Sequence, residues 1–434
     1  MNMDKPAGSV NRWLAVLLPG IAMSLGWGLR GQYGGPRGAM VPGALVAMAL
    51  ALASRRRYGA TQFWAIAAAG ALGFGIGGEE TYMQTVAVAT HPGSMLWGCL
   101  GILIKGAEWG GLGGLFIGMS LSSRKYKMRE LLLGFNLALI LGMILYHFIN
   151  EPKLIYFSGH AGSRPRDEGW AGISCVFVVL LALAARCRDQ VTVRLGVFGA
   201  IGGGAGFLIG VLAYNFGQAH LGTLTSGWWD WWKVAECGFG LIAGIVLGWA
   251  WWSCPQEEIA APEVEQDHTT PVAWLMVLLM LDLLVFYMVT DGMDNLPGFI
   301  GAAPFIFTAP FLLLISYRRR ALTLAIGAVM PIVLTIWNVK SYWVKEHHLL
   351  SAGVGSAVLL AAAIAAAVHV AATCRRPAAL FVVVAAWTTA LAWLKMGIPA
   401  PGSWGTYLVV QGIFTVMLAA LVAGYRVKNL TTQS

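Results

Sequence analysis

The sequence predicts an all-α polytopic membrane protein: about 14 transmembrane helices, in two parallel four-helix repeats followed by a C-terminal six-helix part. Three observations carry this. First, 11% of the 434 residues are charged and 58% are hydrophobic, where a soluble domain carries roughly 25% charge. Second, apolar runs long enough to cross a bilayer recur along the chain. Third, segments of the first half repeat at a fixed offset. The composition excludes a soluble enzyme, a secreted disulfide scaffold and a disordered chain. The pI of 9.3 suggests nucleic acid until the basic residues are mapped; they fall at helix ends, and no nucleic-acid partner is expected.

A bilayer core about 30 Å thick needs roughly 20 apolar residues per helix. The qualifying segments are 12–31, 38–54, 60–78, 95–121, 131–149, 169–185, 194–216 and 228–253 in the first half. In the second half they are 271–290, 298–316, 321–339, 351–373, 378–394 and 405–425. Backbone groups cannot stay unpaired in lipid, so these runs are helices. A barrel would instead show alternating segments of about ten residues. The lipid bilayer is thus the expected partner.

Basic residues favour the cytoplasmic side of short loops. With both termini cytoplasmic, 19 of the 29 basic residues fall inside, including Arg55 to Arg57, Arg124 to Arg129, Arg318 to Arg320, Arg375 and Arg376. The expected location is the inner (plasma) membrane, with the first run acting as a signal anchor. The acidic turn 254–270 is the exception and reads as a cytoplasmic linker. The six cysteines lie in spans or at their inner edges, so neither a disulfide framework nor a cysteine-based metal site is expected.

The repeat has a clear signature. Leu50 to Arg57 and Leu181 to Arg188 close the second and sixth spans with nearly the same residues. Pro36-Arg37 and Pro165-Arg166 open those spans. Lys105-Gly-Ala-Glu108 and Lys233-Val-Ala-Glu236 occupy the fourth and eighth. Four spans separate the copies, so they run parallel. The boundaries read as 1–126 and 127–253 for the two repeats, 254–270 for the linker and 271–434 for the remainder. The first four helices of that remainder echo the repeat through Leu314 to Arg320.

The charges that topology leaves unexplained gather at one depth. At 1.5 Å per residue, Lys105 and Glu108 lie about 28 and 24 Å above Arg124, and Arg30 and Arg37 about 27 Å above Arg12 and Arg55. Intramembrane charges usually face the bundle interior and find partners. Lys105 with Glu108, and Lys233 with Glu236, have the i,i+3 spacing for pairing within one helix, which is either a structural lock or a site for substrate or protons. The glycine-rich stretch Gly26 to Gly38 holds Arg30, Gln32 and Arg37. Freed N–H groups at the start of the second span would suit an anion there; the other reading is a tight turn with snorkelling arginines. Gly77 to Gln84 adds Glu79, Glu80 and Tyr82, and its counterpart near Tyr214 lacks the carboxylates. Arg166 opens the sixth span after a polar loop. Asp230 lies among Trp228, Trp229, Trp231 and Trp232, which read as an interfacial belt or a stacking platform. Asp282, within the ninth span, is the candidate for ion coupling. His347 and His348 have no suitably spaced third ligand.

Arg30, Gln32, Arg37, Glu79, Glu80, Tyr82, Lys105, Glu108, Arg166, Asp230, Lys233 and Glu236 are therefore the substrate-binding candidates, with no catalytic residue, cofactor or metal assigned. The expected function is ion-coupled secondary transport of a small polar or anionic solute, bound in the outer half of the membrane. One alternative is a transferase or hydrolase acting at the outer face on a lipid-linked or sugar-like substrate. Another is a non-catalytic scaffold or receptor, and a homo-oligomer is compatible with all three.

Overall fold

A computed structural model describes residues 12–33, 35–54, 60–78, 82–122, 125–159, 165–255, 377–396 and 404–431. These form helices and turns, with no strand among the described residues. The helices are α1 (Arg12–Tyr33), α2 (Gly35–Ala53), α3 (Ala60–Gly77), α4 (Met83–Thr90), α5 (Met95–Leu121), α6 (Met128–Leu145), α7 (Trp170–Arg186), α8 (Gln190–Thr225), α9 (Trp231–Trp252), α10 (Pro377–Met396) and α11 (Trp404–Thr431). Among the described residues, six helices are long and apolar enough to cross a membrane: Arg12–Gln32, Met95–Leu121, Arg129–Asn150, Gln190–Thr225, Trp231–Trp252 and Gly405–Gly424. Shorter apolar helices are Gly38–Ala53, Ile66–Gly77, Trp170–Arg186 and Phe381–Ala390. The runs expected between 271 and 373, the linker beyond Pro255, and Asp282 lie outside the described residues.

The heart of the bundle is built by α1, α2, α3, α5, α8 and α9, and small residues set how closely they approach. In lipid, apolar side chains gain little by leaving one apolar medium for another, so close backbone packing takes over. A Cβ at Gly110 on α5 would strike the carbonyl of Gly199 on α8, and one at Gly203 would strike that of Gly106. Gly43 and Gly70 meet in the same way between α2 and α3, and Gly240 of α9 lies on the Met23 carbonyl of α1. Residue numbers rise on one helix as they fall on its neighbour in each pair, so these helices run antiparallel. On the flank, α6 and α7 close a second apolar core with Leu112 and Phe116 of α5, through Phe135, Leu139, Ile173 and Val176.

The end of the bundle where α5 stops and α8 starts is held by Asp189. Its carboxylate accepts from the Thr192 amide (3.2 Å) and hydroxyl (2.5 Å), from the Tyr126 hydroxyl (2.6 Å) and from the Ser122 hydroxyl. It therefore caps α8 and ties the end of α5 to it. Burial, helped by the neighbouring Asp189 charge, pushes the Tyr126 phenol well above its ordinary value, so the phenol stays a donor. Arg194 completes this end, donating to the Ala250 carbonyl (3.1 Å) and the Ser253 hydroxyl (2.6 Å) of α9.

The third span matches its expected range, and a short helix that the apolar runs did not predict follows it. Gly77, the last residue of α3, packs on Trp109 of α5. The chain then resumes as the short helix α4, which follows α5 further towards its N-terminus: Thr85 is bonded to Lys105, and Ala89 lies on Gly98. So α3 ends level with Trp109, and α4 lies along α5 beyond that level. By contrast, α8 runs unbroken for 36 residues.

Candidate functional site

The break between α3 and α4 lies beside a buried guanidinium. Arg30 sits in the last turn of α1 and is 6% exposed. Its guanidinium carbon lies 5.2 Å from the ring centre of Trp27, 4.8 Å from Tyr82 and 5.1 Å from Trp109. Trp27 and Trp109 are stacked, with centroids 4.7 Å apart. Helix geometry explains part of this: Trp27 is one turn before Arg30 and shares its face, while Trp109 comes from α5 and Tyr82 from the residue before α4. Phe207 of α8 and Phe239 of α9 extend the aromatic wall, stacking on each other at 5.0 Å. Cation–π attraction strengthens where water is excluded, and this wall keeps water away.

One side of the cage is polar. Arg30 Nη1 donates to the Tyr82 hydroxyl at 2.9 Å, and that hydroxyl donates to Glu236 Oε1 at 3.5 Å. The same carboxylate oxygen accepts from Trp232 Nε1 at 3.2 Å. Lys233 pairs with Glu236 along α9 and also donates to the Gly28 carbonyl of α1 at 3.1 Å. A chain of contacts thus runs from α1 through the residue before α4 to α9 and back to α1. Trp27, Tyr82, Trp109, Phe207, Tyr214 and Phe239 help line a cavity of about 10 Å³ beside Glu236, which is room for about one water. Any larger occupant requires the wall to move.

Four of the sequence candidates therefore meet: Arg30, Tyr82, Lys233 and Glu236. Asp230 is adjacent but turned to another task; its Oδ1 accepts from the Trp232 and Lys233 amides (2.9 and 3.3 Å) and caps α9. The two Lys-x-x-Glu motifs differ in their partners. Lys233 pairs with Glu236 as the spacing allows, whereas Lys105 turns to the Glu168 carboxylate (2.9 Å) and the Thr85 hydroxyl (2.9 Å). Glu108 accepts from the Ser174 hydroxyl of α7 at 2.5 Å. The second carboxylate oxygen of Glu168 takes the Phe157 amide at 2.9 Å. This ion pair ties the loop before α7 to α4 and α5, one turn from Trp109.

Arg166 is exposed, and its backbone amide donates to the Ser158 hydroxyl at 3.0 Å. Gln32 is half-buried near the end of α1. The Arg37 backbone lies in the first turn of α2; its side chain, Glu79 and Glu80 lie outside the described residues. The Trp228–Trp232 group divides by position. Trp232 stacks on Tyr82 at 5.8 Å, Trp231 packs against Gly217 of α8, and Trp228 donates to the Leu224 carbonyl at 3.1 Å. Sequence reasoning missed Trp27, Trp109, Phe207, Phe239, Thr85 and Glu168 as contributors. Only Trp27 had a local signal, its one-turn spacing from Arg30. Among the described residues no group of three His, Cys, Asp or Glu side chains is placed to hold a metal ion.

No protein-family model, curated protein or solved structure matches the chain.

Proposed function

We propose that the chain is an ion-coupled secondary transporter of a small polar or anionic solute. In this reading it is a multi-pass protein of the inner membrane with both termini cytoplasmic, and its site is the Arg30 cage in the outer half. The observation that carries this is the break between α3 and α4 beside the buried guanidinium. Transporters place interrupted helices at their sites, where the free helix ends meet solute and ions. Arg30 and Lys233 are two cations held with Glu236, which favours an anionic solute. Glu236 is a described carboxylate able to exchange a proton or bind a cation as the cage opens. In this reading the fourteen spans form parallel repeats, and the first copy, which carries Tyr82 between α3 and α4, is the specialised one.

The purified protein is expected to take up small carboxylates or phosphates into proteoliposomes, at a rate that follows an imposed proton or sodium gradient. Arg30→Lys keeps the charge but loses the planar guanidinium that stacks on aromatic rings. Forfeiting about 2 kcal/mol of desolvated cation–π attraction should lower uptake roughly 30-fold while membrane insertion stays normal. Full uptake by Arg30→Lys would remove the cage from the mechanism.

One observation favours the second reading, an enzyme at the outer face. Below the cage, α5 and α8 touch backbone to backbone at Gly110 and Gly199, which leaves little room for a path. Product formed from a lipid-linked substrate, with no gradient-dependent flux, would select that reading.

A further inference from the structure

Lys233, which holds Glu236, also borders a second and larger cavity. It has a volume of about 240 Å³ and lies between α1, α9 and α11. Its long walls are apolar, formed by Leu241 of α9 and Val410, Ile413 and Met417 of α11. Its polar end lies at the start of α9, where Trp229, Asp230 and Lys233 face it. Two donors there have capacity left among the described residues. The Trp229 indole N–H is buried without an acceptor. The Lys233 ammonium has three protons and directs two, to Glu236 and the Gly28 carbonyl.

Gly238 adds an independent observation. It lines this cavity, and a Cβ built on it would meet nothing within 4 Å. A glycine inside a helix is disfavoured relative to alanine, and close packing is what justifies most glycines of this bundle. Gly110, at the same place in the first Lys-x-x-Glu motif, is jammed against α8. Gly238 has no such neighbour and instead keeps the wall of the cavity open.

We propose that this cavity binds a single-chain fatty-acid carboxylate. The methylenes lie along α9 and α11, and the carboxylate oxygens accept from Trp229 Nε1 and Lys233 Nζ. The volume falls just under the roughly 300 Å³ at which drug-sized sites begin, so it suits one chain and not a diacyl lipid. Binding here does not depend on the transport reading.

The test measures tritiated dodecanoate binding to the purified full-length protein in micelles, alongside native mass spectrometry of lipids retained through purification. Wild type should bind saturably. Gly238→Leu fills the cavity and should weaken binding at least about 10-fold through lost apolar contact, with a melting temperature no lower than that of wild type. Trp229→Phe removes one hydrogen bond and should weaken binding about 5-fold. Should Gly238→Leu not fold, Trp229→Phe and Met417→Trp carry the test. Absence of saturable binding, equal affinity in the filled variants, or retention of diacyl phospholipid alone would each overturn the proposal.

Discussion

Replacing Lys105 by methionine should destabilise the protein by about 3–5 kcal/mol, the usual cost of leaving one member of a buried ion pair uncompensated. Lys105 is fully buried and its Glu168 partner is 2% exposed at the side chain, so water cannot take over the lost contact. The Thr85 hydroxyl loses a donor at the same time, which loosens α4 from α5. Thermal unfolding in detergent, followed by size-exclusion chromatography, measures the effect. Adding Glu168→Gln should restore most of the loss. It removes the stranded charge and leaves a carbonyl for the Phe157 amide, which donates to Glu168 at 2.9 Å. A single variant that melts with wild type would show that the pair contributes nothing.

Gly110→Val should be at least as damaging, for a different reason. The added Cβ would collide with the Gly199 carbonyl, and backbone cannot step aside as a flexible side chain can. Overpacking of a well-packed site costs typically about 1–3 kcal/mol, and more where backbone must move. Here α5 and α8 must separate along their whole contact. The expected result is loss of the monodisperse peak. Gly238→Ala is the matched control: with nothing within 4 Å of its Cβ, it should gain up to about 1 kcal/mol from helix propensity. Equal melting of Gly110→Val and wild type would contradict the backbone-to-backbone packing.

The described helices α1, α2, α3 and α5 to α9 lie where the apolar runs of the first half placed them, because length and hydropathy are properties of a local window. The break before α4 was hidden for the same reason. Residues 60–78 already satisfy a hydropathy window, and Met83 to Thr90 is too short to register in one. The depth estimate puts Arg30, Lys105 and Glu108 at one end of the bundle, but depth says nothing about which helices are neighbours. Thus Lys105 was matched with Glu108, one turn away, although Glu168 reaches it from a loop more than sixty residues along. Trp109 follows the first Lys-x-x-Glu motif directly. Its stacking on Trp27 depends on how α1 meets α5, and no spacing within either segment encodes that.

The length of α8 has a consequence for the molecule's profile. Its 36 residues extend about 54 Å, whereas a helix tilted about 20° crosses a 30 Å core in roughly 21 residues. Arg194, anchored to Ser253 (2.6 Å) near the start of the helix, fixes its lower end. The excess therefore stands on the opposite side, where Phe216 and Leu224 are 60% and 73% exposed. In a bilayer this tip would form a raised rim through the headgroup layer beside the Arg30 cage. Counted from Arg194, the tip of α8 should therefore stand about 15 Å beyond the hydrocarbon core in nanodiscs.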